Sequence, residues 1–250
     1  MPAPLLTIVT VTKDCAATLE KTLRSVLAVK NADIEYIVID GVSTDGTLDL
    51  LARYEGLVDQ LVSEPDTGIY NAMNKGVSLA KGAYILFING DDELLAPGFS
   101  AVERVLREGG GEIVCAITLV GSVATPSETL AAQPWRLPFY NSIPHPSTFV
   151  ATSLLKQYRF REDLRIASDY DLFLRLFLAR HRFVQVNAVT ALHMRGGASG
   201  NSELSQAEIE QIRRERLGWA YPLANAVRRM HGWNKVFREN VAFAGKKHDQ

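Results

Sequence analysis

Cysteine is nearly absent: Cys15 and Cys115 are the only two in 250 residues, and they stand in no CxxC pattern. That argues against a disulfide framework or a cysteine-based zinc site and makes the reducing cytosol the default compartment. No apolar run reaches the roughly 18 residues of a membrane span. The opening "MPAPLLTIVTVTKD" lacks both the basic start and the long apolar core of a signal peptide. Charge of one sign is also missing, since a formal net charge of -1 gives no global argument for a nucleic-acid partner. There is no internal repeat and no low-complexity tract. The first apolar run leads into "VTKDCAAT" rather than GxGxxG, which speaks against a dinucleotide-binding dehydrogenase.

What remains is an ordinary soluble composition, 47% hydrophobic and 22% charged, in a chain long enough for one large α/β domain or two small ones. "LLTIVTVT" (residues 5–12) is rich in β-branched residues and predicts a strand. "ATLEKTLRSVLAV" (17–29) carries Leu19, Leu23, Val26 and Leu27 at helical spacing. Three more strands are predicted at 34–40, 57–64 and 83–89. The helices between them follow "GVSTDGT", with a cap at Ser43 or Thr44, and span residues 69–80. Four βα units in about ninety residues imply a mostly parallel sheet with helices on both faces.

Beyond residue 95 the spacing predicts a helix ("GFSAVERVLREG"), a strand at 112–120, a helix at 169–180 and a strand-like "FVQVNAVTALHM". Residues 121–146 read as an irregular insertion or flap, and "GGASGNSE" (196–203) as a flexible loop before a further helix. The last forty residues hold nine Lys and Arg against Glu215, Glu239 and Asp249.

The predicted strand ends collect polar groups: Thr10 and Thr12, then Asp40, Gly41 and Ser43, then Glu64 and Asp66, then Asn89, Asp91 and Asp92. In an open parallel sheet ligands gather outside these ends. A rim this acidic would repel an anionic ligand unless a divalent cation mediates, so it suggests metal-bridged diphosphate binding. Mg²⁺ or Mn²⁺ suits carboxylate oxygens and keeps positions for phosphate and water. Any one of these segments alone is equally a turn or a helix cap; their occurrence in order favours a site.

"TIVTVTKDCAATLEKTLRSVL", "YIVIDGVSTDGTLDLL", "SEPDTGIYNAMNKGVSLAKGAYILFINGDD" and "HPSTFVATSLL...FREDLRIASDYDLFLRL" resemble the successive blocks of family 2 glycosyltransferases of the bacterial cell-surface polysaccharide type, over roughly residues 5 to 195. The resemblance implies a GT-A-like α/β fold: a mostly parallel central sheet flanked by helices. It places a nucleotide-sugar transferase domain at 1–200, with a donor half to about 120 and an acceptor half after it, and a basic helical extension at 201–250. Thr10, Thr12, Asp40, Gly41 and Ser43 match the positions that hold the base and ribose, and Asp66, Asn74 and Gly76 the following nucleotide segment. "NGDD" matches the DxD element with one departure. Asn89 stands in place of the usual first aspartate, so Asp91 is the expected metal ligand, Asn89 a sugar or ribose contact, and Asp92 a supporting or donor-sugar contact.

Asp169 falls where the family places its catalytic base, with Ser168 where a glutamate is usual. Its other reading is a helix N-terminal charge, worth about 0.3 to 1 kcal/mol. Asp171, two residues on, cannot share its helix face. His145, between two prolines, is either a contact on the acceptor or diphosphate side or a structural hydrogen bonder. His193 is an additional metal-ligand candidate, and Arg195 a phosphate clamp on a glycine-hinged loop. The tail, which mixes Arg and Lys with Met230, Trp233, Phe237 and Phe243, reads either as a membrane-surface helix or as a packed helix with a solvated basic face.

The expectation is therefore an inverting glycosyltransferase. Its donor would be a UDP- or GDP-linked sugar, and its acceptor a saccharide or polyprenyl-linked molecule in exopolysaccharide, O-antigen or capsule assembly. It would use Mn²⁺ or Mg²⁺ and work in the cytoplasm or on the inner face of the membrane. The competing expectations are a nucleotidyltransferase on a similar sheet and a non-catalytic nucleotide-sugar binding protein.

Overall fold

The computed structural model describes residues 3–121, 123, 125–194 and 202–231. Arg195, the glycine loop up to residue 201 and the tail beyond residue 231, with Trp233, Phe237 and Phe243, lie outside the described residues.

The first two strands, β1 (Leu6–Thr12) and β2 (Ile34–Asp40), are buried at all seven positions each, as central parallel strands covered on both faces must be. They pair in parallel from Leu6 opposite Ile34 to Thr12 opposite Asp40. β3 (Gln60–Ser63) extends the sheet beyond β2 and brings Ser63 opposite Asp40. β4 (Tyr84–Phe87) lies parallel to β1 on its other side. Alternation sorts the apolar side chains into two layers. Val9, Val11, Ile37 and Ile39 pack with Met73, Val77, Leu172 and Phe173 on one face. Ile8, Tyr36 and Val38 pack with Leu19, Leu23, Phe99 and Val102 on the other. Each fully buried aliphatic side chain contributes on the order of 1.5–3 kcal/mol before entropy is charged against it.

Those helical residues come from α1 (Ala16–Leu27), α3 (Ile69–Leu79), α4 (Ala96–Arg107) and α6 (Ser168–Leu178), while the short α2 (Thr47–Ala52) joins the α1 side. Gly76 marks where α3 presses on β1. A Cβ there would sit 2.5 Å from Val9 Cγ1, so the residue sets the distance between helix and strand.

The second half of the sheet is mixed. β6 (Ile113–Gly121) runs antiparallel to β8 (Thr148–Ala151), which is itself antiparallel to β4, and parallel to β9 (Phe183–His193). The two-residue β5 (Glu93–Leu94) closes the far edge against β9, giving the order β3-β2-β1-β4-β8-β6-β9-β5. Residues expected to form an irregular flap contain β7 (Pro126–Ala131), a hairpin partner of β6 with a register shift at Val120/Gly121. Its sequence, PSETLA, has exposed or half-buried side chains throughout, so no hydrophobic alternation announces it. α5 (Thr152–Tyr158) follows β8, and α7 (Ser202–Leu217) packs on α6, sending Ile212 into the core beside Leu172 and Phe173. α8 (Tyr221–Met230) follows one turn later.

Candidate active site

β1 lies between β2 and β4, so the chain leaves its C-terminal end in a direction that opens a crevice there, the switch point of the parallel half. A cleft of about 1630 Å³ occupies it. Seven of the sequence-predicted residues line this cleft: Thr12, Asp66, Asn89, Asp91, His145, Asp169 and His193.

The floor beneath β1 and β2 is built by short hydroxyl side chains. Asp40, fully buried, accepts hydrogen bonds from Thr12 Oγ1 (3.1 Å), Ser43 Oγ, Ser43 N (3.0 Å) and Ser63 Oγ (2.7 Å). Burial pushes its carboxyl up, but the bonds from Ser43, Ser63 and Thr12 more than reverse that, so it lies below its ordinary value and is charged. Ser43 also accepts from Asp14 N, Thr47 Oγ1 from Cys15 N, and Asp45 from Ala16 N, while Asp14 accepts from Thr44 N. "STDGT" thus ties the loop after β2 to the start of α1.

The expected cap of α2 at Ser43 or Thr44 is not what forms. Gly46, at φ 96°, occupies the cap position, and Asp45 accepts from Thr47 N. The same lock holds Asp14 and Val42 at φ 48° and 61°. For a β-branched side chain such as Val42 that conformation is strained, and such strain gathers at functional loops. Gly41 leaves room for Asp66, since a Cβ there would lie 2.4 Å from Asp66 Oδ2 and displace that side chain.

On the next strand end, Asp92 is completely buried and accepts or shares a proton with His193 Nδ1 at 2.7 Å. It therefore stands behind His193, which itself lines the cleft. Asp91 faces the cleft, and burial, then the nearby Asp92 charge, raise its carboxyl above the ordinary value, against the opposing pull of His193 and His145. Asp92 Oδ2 and Asn89 Oδ1 are buried without a hydrogen-bond partner among the described residues. No group of three or more His, Cys, Asp and Glu able to hold a metal occurs among the described residues. Asp91 with His193 nevertheless fits a hard cation that takes one or two protein ligands and completes its shell from phosphate and water. A cation there would also favour the charged form of a carboxylate that its surroundings disfavour.

Asp169 lines the same cleft from the first turn of α6, with only 15% of its side chain exposed. Its Oδ1 accepts from Tyr170 N at 2.7 Å and faces Tyr70 Oη at 3.4 Å, and His145 Nδ1 lies 3.8 Å from Oδ2. The other imidazole nitrogen meets Asn89 Nδ2 at 3.3 Å. Burial holds the Asp169 carboxyl above its ordinary value, with His145, Tyr170 N, Asn141 and Tyr70 pulling it back. A carboxylate so placed can accept a proton from a hydroxyl in the cleft.

Other predicted residues stand behind these walls. Thr10 is buried, and its Oγ1 accepts from Tyr36 Oη. Asn74 holds the backbone of Phe160 at both N and O and reaches Glu162 at 2.8 Å. Asn74 and Gly76 are placed to shape the wall rather than to line it. Tyr70, Asn141 and the cleft-lining Lys13 and Lys21 carry no signal in the sequence patterns, because only the folded juxtaposition brings them here. Cys15 and Cys115 are pushed by burial up to about 11 and about 12, so neither is a thiolate nucleophile.

The sequence profile described as "Glycosyl transferase family 2" matches residues 7–165. A "PGL/p-HBAD biosynthesis glycosyltransferase" of Mycobacterium bovis is 40% identical over 97 residues, 38% of this chain and 38% of that protein. The chain thus matches well under half the length of that curated relative. An uncharacterised glycosyltransferase of Mycobacterium tuberculosis aligns more widely, at 28% identity over 96% of this chain and 97% of its own. Among solved structures, S. aureus TarS with UDP-GlcNAc superposes with a TM-score of 0.67 at 16% identity, covering 89% of this chain and 74% of that one. The mannosyltransferase PcManGT of Pyrobaculum calidifontis, with GDP-Man and Mn2+, gives a TM-score of 0.60 at 15% identity over 95% and 77%. At such identities the superpositions speak to the fold alone, and that fold is GT-A-like. With more than half its length matched by the profile, the chain belongs to glycosyltransferase family 2.

Proposed function

We propose that the chain is an inverting glycosyltransferase that moves a sugar from a UDP- or GDP-linked donor to a hydroxyl of a saccharide or lipid-linked acceptor in cell-surface polysaccharide assembly. The observation that carries this reading is that one cleft is lined both by Asp91, just beyond the end of β4, and by Asp169, from the first turn of α6. Asp169 takes the proton of the acceptor hydroxyl as the acceptor oxygen bonds to the anomeric carbon. The bond from that carbon to the diphosphate oxygen breaks on the opposite face, which inverts the centre. Thr12 and Asp66 contact the nucleotide, supported from behind by Thr10, Asp40, Gly41 and Ser43. Asn89 and His145 contact the sugar side, and Asn74, Gly76 and Asp92 act through the groups they hold. Mn²⁺ or Mg²⁺ held by Asp91, with His193 as an additional ligand, would offset the charge on the leaving diphosphate. The nucleotide sugars in the TarS and PcManGT structures, and the Mn2+ in the latter, support this assignment.

A thermal-shift screen of UDP- and GDP-sugars with and without Mn²⁺ tests it. A cognate donor at a hundredfold its Kd stabilises the native state by about 2.7 kcal/mol, and in Asp91→Asn the Mn²⁺-dependent part of that shift disappears. Nucleotide binding with no diphosphate released to any acceptor or to water would leave a binding protein instead of an enzyme.

A lipid-linked acceptor has support at the C-terminal end of the described chain. Trp219, Leu223 and Met230 are 91%, 67% and 81% exposed. On α8, Leu223 and Met230 fall about 20° apart at helical spacing with Arg229 flanking, and Trp219 stands in the 3-10 turn just before the helix. No helix among the described residues is long and apolar enough to cross a membrane. The proposed contact is of the interfacial kind, on the inner membrane surface. The chain should co-sediment with vesicles containing phosphatidylglycerol and release at high salt. Trp219→Ala with Leu223→Ala should weaken sedimentation about tenfold or more by the area removed; unchanged sedimentation of that variant would exclude the stripe.

A further inference from the structure

α7 lies wholly beyond the residues matched by the family profile, yet it reaches the cleft: Ser205 and Ile209 form part of its lining. Between them, Glu208 is buried, 7% exposed, and turns its carboxylate toward the loop ahead of α6. Oε1 accepts the N–H of Arg165 at 2.7 Å, and Oε2 accepts those of Ile166 and Ala167, each at 2.9 Å. From the opposite side, Tyr70 Oη donates to the Ile166 carbonyl at 2.5 Å. Ala167 precedes the first turn of α6 and has no side chain that could cap it. Asp169 is two residues further on. Burying a carboxylate is costly unless it is hydrogen-bonded, and charge-assisted bonds to three consecutive amides offset that cost.

We propose that Glu208 is a positioning residue for sugar transfer: by fixing the backbone of residues 165–167 it sets where the Asp169 carboxylate meets the acceptor hydroxyl. The inference rests on the reading of Asp169 as the base. It makes α7 part of the acceptor wall of the site, in addition to its packing on α6.

The test measures nucleoside diphosphate release by the full chain from UDP-GlcNAc and GDP-mannose with Mn²⁺, together with hydrogen exchange of the 165–167 amides. In E208Q one amide oxygen still accepts, while the amide N–H₂ opposes a backbone N–H; E208A removes every acceptor. Misplacing a catalytic group by about 1 Å can cost about a hundredfold. E208A should therefore lose about a hundredfold in kcat and E208Q about tenfold, each with donor KM within about twofold of the parent. Exchange at residues 165–167 should accelerate in the same order. If E208A does not fold, E208Q with a measured UDP affinity carries the comparison. A kcat within about twofold of the parent, or a donor KM that worsens as much as kcat, overturns the positioning role. A parent chain that binds UDP but releases no diphosphate overturns the base reading of Asp169 and the role of Glu208 with it.

Discussion

Asp169→Asn should lower diphosphate release and sugar transfer roughly 100- to 10,000-fold, the range that a positioned general base supplies, while leaving donor affinity unchanged. Asparagine keeps the size of the side chain and the contacts with Tyr170 N and Tyr70 but cannot take a proton. The same substitution should stabilise the fold near neutral pH. Burial raises the Asp169 carboxyl in the folded chain, so folding favours its protonated form. The stability that this form contributes is complete below the unfolded pKa and is lost as pH rises through the higher folded one. The parent and Asp169→Asn should therefore unfold at similar temperatures in acid, and the variant should unfold at the higher temperature at pH 7. The activity of the parent should fall on acidification at a pKa above that of an ordinary aspartate. An Asp169→Asn variant that retains more than about a tenth of parental turnover would remove Asp169 from the chemistry.

Asp171→Ala should do the reverse, costing about 3–5 kcal/mol of stability. Asp171 is completely buried, and its two oxygens accept Arg175 Nε and Arg216 Nε, each at 2.7 Å, with Arg161 at 3.8 Å. Arg175 still has the carbonyls of Tyr158 and Arg159 to hold, but the α6 to α7 link through Arg216 is lost and cations are left half-buried beside an empty acceptor site. Urea unfolding followed at constant slope measures the loss, and turnover well below the transition should survive. A loss under about 1 kcal/mol would show that this network behaves like an exposed surface pair. Two aspartates two positions apart on one helix thus separate cleanly, one by rate and the other by stability.

The first ninety residues are readable because their physics is local. Fully buried parallel strands give apolar runs such as "TIVTV" and "YIVI", amphipathic helices give the Leu19, Leu23, Val26 spacing, and polar residues mark the strand ends. β7 and β8 escape notice because one is polar and solvent-facing and the other has only four residues. At the site, residue type suggests where carboxylates gather but not which way they turn. Nothing in "VIDGVSTDGT" says that Asp40 is surrounded by the hydroxyls of Thr12, Ser43 and Ser63, since two of those donors come from other strands. Nor does "NGDD" show that Asp92 faces inward to His193 while Asp91 faces the cleft. Glu208 reads as one charge among many on a polar helix until the loop 41 residues earlier folds against it.

The bond between Asp92 and His193 joins positions 101 residues apart, and among the described residues β5 finds its strand partner only in β9. At synthesis rates of about 5–20 residues per second, the ribosome needs roughly 5–20 s to extend the chain from one partner to the other. For that interval the nascent protein carries every strand of its parallel half with Asp91 and Asp92 unescorted by the imidazole. The edge of β5 meanwhile awaits β9, which has not yet been made. A pause placed between these two segments would prolong exposure of that edge, and a faster passage would shorten it.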